Sequence, residues 1–196
     1  MKAGTLFVIL VFISMSCRYR EVGNNIETNY FSLDSLVDAQ IAELIRLSPG
    51  LEKQAFLDSV TEQTILQLDS AGWENELKVF REANIDKPAF YGSYTVNMKK
   101  EDAYSNLLYD EYLASDSAKL SVKSLRIYYL EKKALIKKFE VVLNDKNELF
   151  ESDRQLKMIF EDRESGSLLS SYHVKGSQRL KLNEVVTYEV SSNLVY

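Results

Sequence analysis

The sequence predicts an α+β domain in which N-terminal helices and a small hairpin pack on an antiparallel β meander, a form that could be a half-barrel. Two observations carry this. Apolar residues recur at three- and four-residue spacing early in the chain and alternate with polar ones after about Ser105, and these are the periods of helices and strands. The alternating segments are joined by short polar connections such as Glu131-Lys132-Lys133 and Asn144-Asp145-Lys146-Asn147. Linkers this short force neighbouring strands to run antiparallel, because a parallel crossover needs a dozen residues or more.

Residues 1–16 read as a signal peptide: Lys2, an apolar run from Leu6 to Ile13, then Ser14-Met15-Ser16 before Cys17. The run is too short for a membrane span, which needs about 20 apolar residues. Cys17 is the only cysteine in the chain, and the region resembles a bacterial lipobox, in which the cysteine is lipidated and becomes the mature N-terminus. The leucine usual three places earlier is Ser14 here. Two or three acyl chains hold a protein to a bilayer where one does not. The expected anchor is therefore lipid on Cys17, and residues 17–29 form the lipidated cysteine and a polar tether whose last dozen residues reach at most about 40 Å.

Residues 30–196 form the expected single domain. Ser32 caps a helix carrying Leu33, Leu36, Val37, Ile41, Leu44 and Ile45 on one face, with Phe31 placed as a staple, and Pro49-Gly50 ends it near Ser48. Residues 52–68 allow a helix or a hairpin turning at Asp58-Ser59, and the hairpin is favoured. Ser70 can cap a second helix, from Trp73 to about Ala83, with Trp73, Leu77 and Phe80 in one stripe. Val122 to Tyr129, Leu135 to Leu143, Leu156 to Phe160, Tyr172 to Leu182 and Val185 to Val190 then read as successive strands. Gly176 suggests a bulge.

Composition limits the function classes. Removing Lys2 from 24 basic residues leaves 23 against 29 acidic ones, a net charge of −6 in the expected mature chain. That balance disfavours nucleic acid, which needs a basic face, and electrostatic adhesion to anionic lipid. With Cys17 committed to lipid there is no disulfide, so a packed core must supply stability. The 12 tyrosines and 9 phenylalanines are suited to one.

Trp73-Glu74-Asn75-Glu76-Leu77 with Phe80, Asn84-Ile85-Asp86-Lys87-Pro88 with Tyr94, and Asn147-Glu148-Leu149-Phe150 resemble a group of lipoproteins from the Bacteroidetes, typified by an N-terminal helix, a small hairpin, a Trp-Glu-x-Glu-Leu helix and a β meander. The resemblance supports the hairpin over residues 52–68 and brings no activity with it. The group's acid before Ile-Asn is Asn84 here, with Asp86 in the exchanged place. Residues after Cys17 begin Arg18-Tyr19-Arg20 and lack the acidic cluster associated with surface export in such lipoproteins. The implied location is the cell envelope, on the outer membrane facing the periplasm.

Chemistry-bearing motifs are scarce. His173 is the only histidine, which excludes a site needing two imidazoles from one chain, and alternation places it on the solvated face of its strand. No nucleophile elbow, Gly-rich phosphate loop or calcium loop occurs, and no metal or cofactor is expected. Glu74, Glu76, Asp86, Glu111, Glu161 and Asp162 are available for carboxylate chemistry of the glycosidase kind. Trp73, Phe80, Phe90, Tyr91 and Tyr94 form the densest aromatic neighbourhood, a candidate ligand pocket whose simpler reading is core. Tyr128-Tyr129-Leu130 and Val141-Val142 give strands apolar on both faces, leaving a second face for a groove. The expectation is a non-catalytic, lipid-anchored envelope protein that binds a protein partner or an apolar ligand through one sheet face. A carboxylate-dependent envelope hydrolase is the alternative.

Overall fold

The computed structural model describes residues 30–196 apart from 116–118, 132–134, 165 and 181–183. The expected signal peptide, Cys17 and its tether lie outside the described residues. Two α-helices, α1 (Leu33–Leu47) and α2 (Ser70–Arg81), cover one face of a nine-stranded, fully antiparallel sheet. The strands are β1 (Gly50–Leu57), β2 (Val60–Gln67), β3 (Tyr94–Glu101), β4 (Leu108–Ala114), β5 (Val122–Tyr129), β6 (Ile136–Lys146), β7 (Phe150–Arg163), β8 (Gly166–Leu180) and β9 (Val185–Val195). Their order is β2-β1-β9-β8-β7-β6-β5-β4-β3, so the sheet is open and ends at β2 and β3. The α+β class and the hairpin over residues 52–68 are as the sequence predicts.

The helix ends show local chemistry at work. The Ser32 side chain accepts the Ser35 N–H, and Ser48 closes α1 in the left-handed region at φ 49°, the conformation that ends many helices. The second cap differs from expectation. Asp69, not Ser70, accepts a backbone N–H, that of Gly72 at 2.8 Å, and Ser70 is already helical. An aspartate oxygen one residue earlier satisfies a first-turn donor that Ser70 cannot reach from inside the turn.

Three further features depart from the sequence reading. The alternating pattern begins earlier than Ser105, with β3 at Tyr94. The register is unbroken at Gly176, and the irregularity in this pair of strands falls between Ile159 and Phe160. Gly176 has a steric reason: a Cβ there would stand 2.5 Å from the Tyr188 hydroxyl oxygen and 2.8 Å from the Asp153 carbonyl oxygen. Finally, the meander runs from β3 to β9 as predicted, but the hairpin extends its edge, β1 pairing with the C-terminal β9 from Gly50↔Val195 to Leu57↔Tyr188.

The two faces of the sheet can be followed row by row, because side chains alternate along each strand while directly paired residues share a face. One row runs Val96, Tyr112, Leu125, Val141, Leu156, Val174, Val190, Ala55, Glu62. It is apolar across eight strands, and with Leu33, Val37, Leu44, Trp73, Leu77 and Phe80 from the helices it builds the core. The next row lies on the other face, against which no described helix packs.

Candidate binding face

That row is Asn97, Glu111, Arg126, Glu140, Lys157, His173, Ser191, Gln54, Gln63, one residue from each strand and polar from edge to edge. Its two halves differ. Over β3 to β6 the charges neutralise one another. Glu111, only 2% exposed, takes the Arg126 guanidinium and the Lys100 ammonium, both at 2.8 Å. Burial works to raise the Glu111 pKa, but hydrogen bonds from these two cations outweigh it and hold the carboxyl below its ordinary value. Tyr109 and Tyr128 stack with ring centres 5.1 Å apart, and Tyr128 donates to Glu140 at 2.9 Å. Lys138 lies 3.8 Å from the Tyr128 ring centre and 3.0 Å from Glu140. Burial first, then Glu140, pushes the Tyr128 phenol up to about 12. This half is a closed network of paired charges.

Over β7, β8, β9, β1 and β2 the row carries the Lys157 ammonium, an imidazole, a hydroxyl and two amides, and the surface is hollowed. A depression of about 550 Å³ spans five strands, from Val142 on β6 to Phe56 on β1, over Gln155, Lys175 and Glu189. A second of about 470 Å³ lies over Gln54, Gln63, Ser191 and Asn193. A third of about 160 Å³ lies between Lys157, His173 and Ser191. His173 faces this surface, as its alternation predicts, with Nε2 2.8 Å from a Glu189 carboxylate oxygen. That hydrogen bond lowers the Glu189 pKa. Apolar side chains on this half, Phe56, Ile65, Ile159, Val185 and Val195, with Val142 at its border, are interspersed with polar ones, so the described residues form no continuous greasy groove.

The five aromatic residues singled out in the sequence fall into two groups, and none lines these depressions. Trp73 and Phe80 have no exposed surface. Phe80 meets Phe139 and Tyr172 edge to face at 5.7 and 5.6 Å. Tyr91 and Tyr94 instead surround Tyr30, at 5.8 and 5.6 Å, and the Tyr30 hydroxyl accepts the backbone N–H groups of Gly92 and Tyr94. Phe90 packs half-buried beside them.

The six carboxylates are likewise dispersed. Glu74 pairs with Arg81, Glu161 with Arg163 and Asp162 with Lys137. Asp86 accepts from the Tyr30 N–H and the Tyr91 hydroxyl. Glu76 receives Lys53 at 2.5 Å and the Tyr172 hydroxyl beneath α2, where burial and then Glu76 raise the Tyr172 phenol. No group of three or more metal-ligating side chains occurs among the described residues.

Gln54, Gln63, Gln155, Lys175, Ser191 and Asn193 were not singled out by motif. The signal for them is the polar half of the alternation itself, which reads as ordinary solvated surface until the strands are laid side by side. Compared with protein-family models, curated proteins and solved structures, the chain gives no significant match.

Proposed function

We propose that this is a non-catalytic, lipid-anchored protein of the bacterial envelope that holds a protein partner on the hollowed half of its uncovered sheet face. The observation that carries the reading is the polar row crossing all nine strands, backed by a row whose apolar side chains lie under the helices. An open surface of amides, hydroxyls and a few charged groups suits the backbone and polar side chains of a protein, and its scattered apolar residues can serve as anchors within a polar interface. An apolar ligand finds less support, since water would remain beside most of it. The hydrolase alternative finds none in the dispersed carboxylates, each held by a cation or a hydrogen-bond donor.

The anchoring half of the proposal rests on Ser14 to Cys17 and is tested by Cys17→Ser, which should move the protein from the detergent phase to the soluble fraction. Retention in washed membranes would refute it. The binding half is tested in cells with a photo-activated cross-linker placed at Ser191 or Gln54, against a control at Asp38 on α1. A discrete adduct is expected from the sheet face only, lost when Gln155→Lys is added. Adducts that form equally at Asp38, or that survive Gln155→Lys, would overturn the assignment of the face.

A further inference from the structure

The two edge strands of the sheet differ. β3 is closed in the ways that keep an edge from pairing with other chains. The Tyr30 hydroxyl accepts the Tyr94 N–H, the register slips between Asn97 and Lys100, and Lys99 turns into the left-handed region at φ 55° with Lys100 beside it. β2 has none of these features. Its residues run in unbroken register with β1 from Leu57↔Val60 to Gly50↔Gln67, include no proline, glycine or lysine, and carry Glu62 as their one charge. Ile65 is 75% exposed and Val60 58%. Glu62 and Thr64 are exposed as well, although their side chains lie on the helix side of the sheet, so neither helix screens this edge.

The alternation of hydrogen bonds decides which backbone groups are open. The Asp58 N–H donates to the Thr187 carbonyl, so the even-numbered residues of β1 turn their N–H and C=O to β9, and Leu57, Ala55, Lys53 and Leu51 turn theirs to β2. Their partners Val60, Glu62, Thr64 and Leu66 face inward. Thr61, Gln63 and Ile65 therefore present their backbone groups to the open side, and the same three residues carry their side chains on the uncovered face.

We infer that β2 pairs antiparallel with β2 of a second copy, about a two-fold axis at Gln63, so that two sheets become one with both uncovered faces on the same side. A row of alternating donors and acceptors is completed by another strand, and the side chains of β2 fit their own reverse. With Gln63 opposite Gln63 of the second copy, Thr61 meets Ile65, Glu62 meets Thr64 and Val60 meets Leu66. Apolar or β-branched side chains then lie together, the axial amides can bond each other, and no like charges oppose. Centring the pair on Thr64 instead would set Glu62 against Leu66. The three open residues supply about six backbone hydrogen bonds across the axis. The depression of about 470 Å³ lined at this edge by Gln63, Thr64 and Ile65 gains a second wall from Thr61 and Gln63 of the second copy. The pairing holds whether or not the sheet face also binds a partner.

Residues 18–196 keep the whole described domain and contain no cysteine. In sedimentation equilibrium this chain should show a monomer–dimer equilibrium. Gln63→Glu and Gln63→Lys, each an exposed change that leaves the hairpin bonds intact, should both weaken the dimer several-fold at neutral pH and low salt, because like charges then face each other across the axis. Mixing the two variants should restore the dimer, as opposite charges meet. Gln63→Cys should form an intermolecular disulfide on mild oxidation, whereas Thr61→Cys should not, since its two copies would lie roughly 13 Å apart along the strands, too far for the bond. A chain that stays monomeric into the millimolar range would overturn the inference and leave the edge to a strand of another protein. A dimer indifferent to both charge variants, or no recovery on mixing them, would place the contact elsewhere and overturn it equally. Cross-linking as efficient through position 61 as through position 63 would refute the axis at Gln63.

Discussion

The side-chain oxygen of Asn84 accepts the backbone N–H of Leu33 at 3.1 Å, and its amide nitrogen donates to Asp34 at 2.6 Å. A buried side chain 51 residues away thereby satisfies a first-turn donor of α1 and joins the end of α2 to the start of the domain. Asp86 completes the junction by accepting the Tyr30 N–H. The Asn84-Ile85-Asp86 segment is a structural clasp that needs the amide at position 84. A carboxylate at position 84 would have no donor for Asp34.

Asn84→Ala should therefore cost about 1–3 kcal/mol, the usual penalty for leaving buried polar groups unsatisfied. Asn84→Asp should cost more at neutral pH, since it removes the donor and sets two carboxylates together. Urea unfolding of both variants measures this, and an Asn84→Asp chain as stable as wild type would show that the clasp does not hold α1.

Trp73 is wholly buried, and truncating such a side chain typically costs about 3–5 kcal/mol. Trp73→Ala should lower the thermal midpoint by about 6–20 °C, given roughly 2–4 °C per kcal/mol in a domain of this size. Trp73→Phe should cost clearly less, because the indole N–H has no hydrogen-bond partner among the described residues and only volume is lost. Circular dichroism melts of the two variants check the order.

Gly176 and Tyr188 should be coupled. The tyrosine ring lies where a side chain at 176 would go, and the Asp153 carbonyl limits the space from the neighbouring strand. Gly176→Ala should cost about 1–3 kcal/mol as an overpacked site. In a Tyr188→Ala background the cost should fall without vanishing, because the Asp153 backbone remains. A double-mutant cycle reads the coupling directly, and strict additivity would contradict the contact.

How much of this was legible follows the range of each interaction. The α1 cap at Ser32, the stop before Pro49 and the turn at Asp58-Ser59 are set by residues within a few positions of one another, and the sequence shows them. The pairing of β1 with β9 is not legible, since Leu51 and Leu194 carry no mark of each other and meet only through the whole sheet. The aromatic cluster was half legible: the Trp73–Phe80 stripe follows from helical spacing, whereas Tyr91 and Tyr94 gather on Tyr30, a residue with no pattern around it. The candidate face is hardest of all, because Gln54, Ser191 and His173 gain meaning only as neighbours across strands.

The pairing of Glu111 with Arg126 and Lys100 sets a pH dependence whose sign can be worked out. Its carboxyl is held below the ordinary value of 4.5 in the folded protein, because two cations oppose the effect of burial. A depressed carboxyl contributes stability that is present above the unfolded-state pKa and is lost as pH falls through the folded-state pKa. Glu111→Gln keeps the shape and removes the charge, leaving Arg126 and Lys100 without their anion. Both cations are partly exposed, so water recovers some of the loss, and the cost at pH 7 should be about 1–3 kcal/mol. The comparison is best made as a difference between wild type and variant across pH, since the other carboxylates then cancel. That difference should be flat from pH 7 to about pH 5 and shrink on further acidification, as protons neutralise Glu111 in the wild type. Added salt should weaken it only modestly, because the carboxylate is buried while its partners are not. A difference that stays constant through pH 3, measured by urea unfolding at each pH, would mean that the charge of Glu111 contributes nothing to folding.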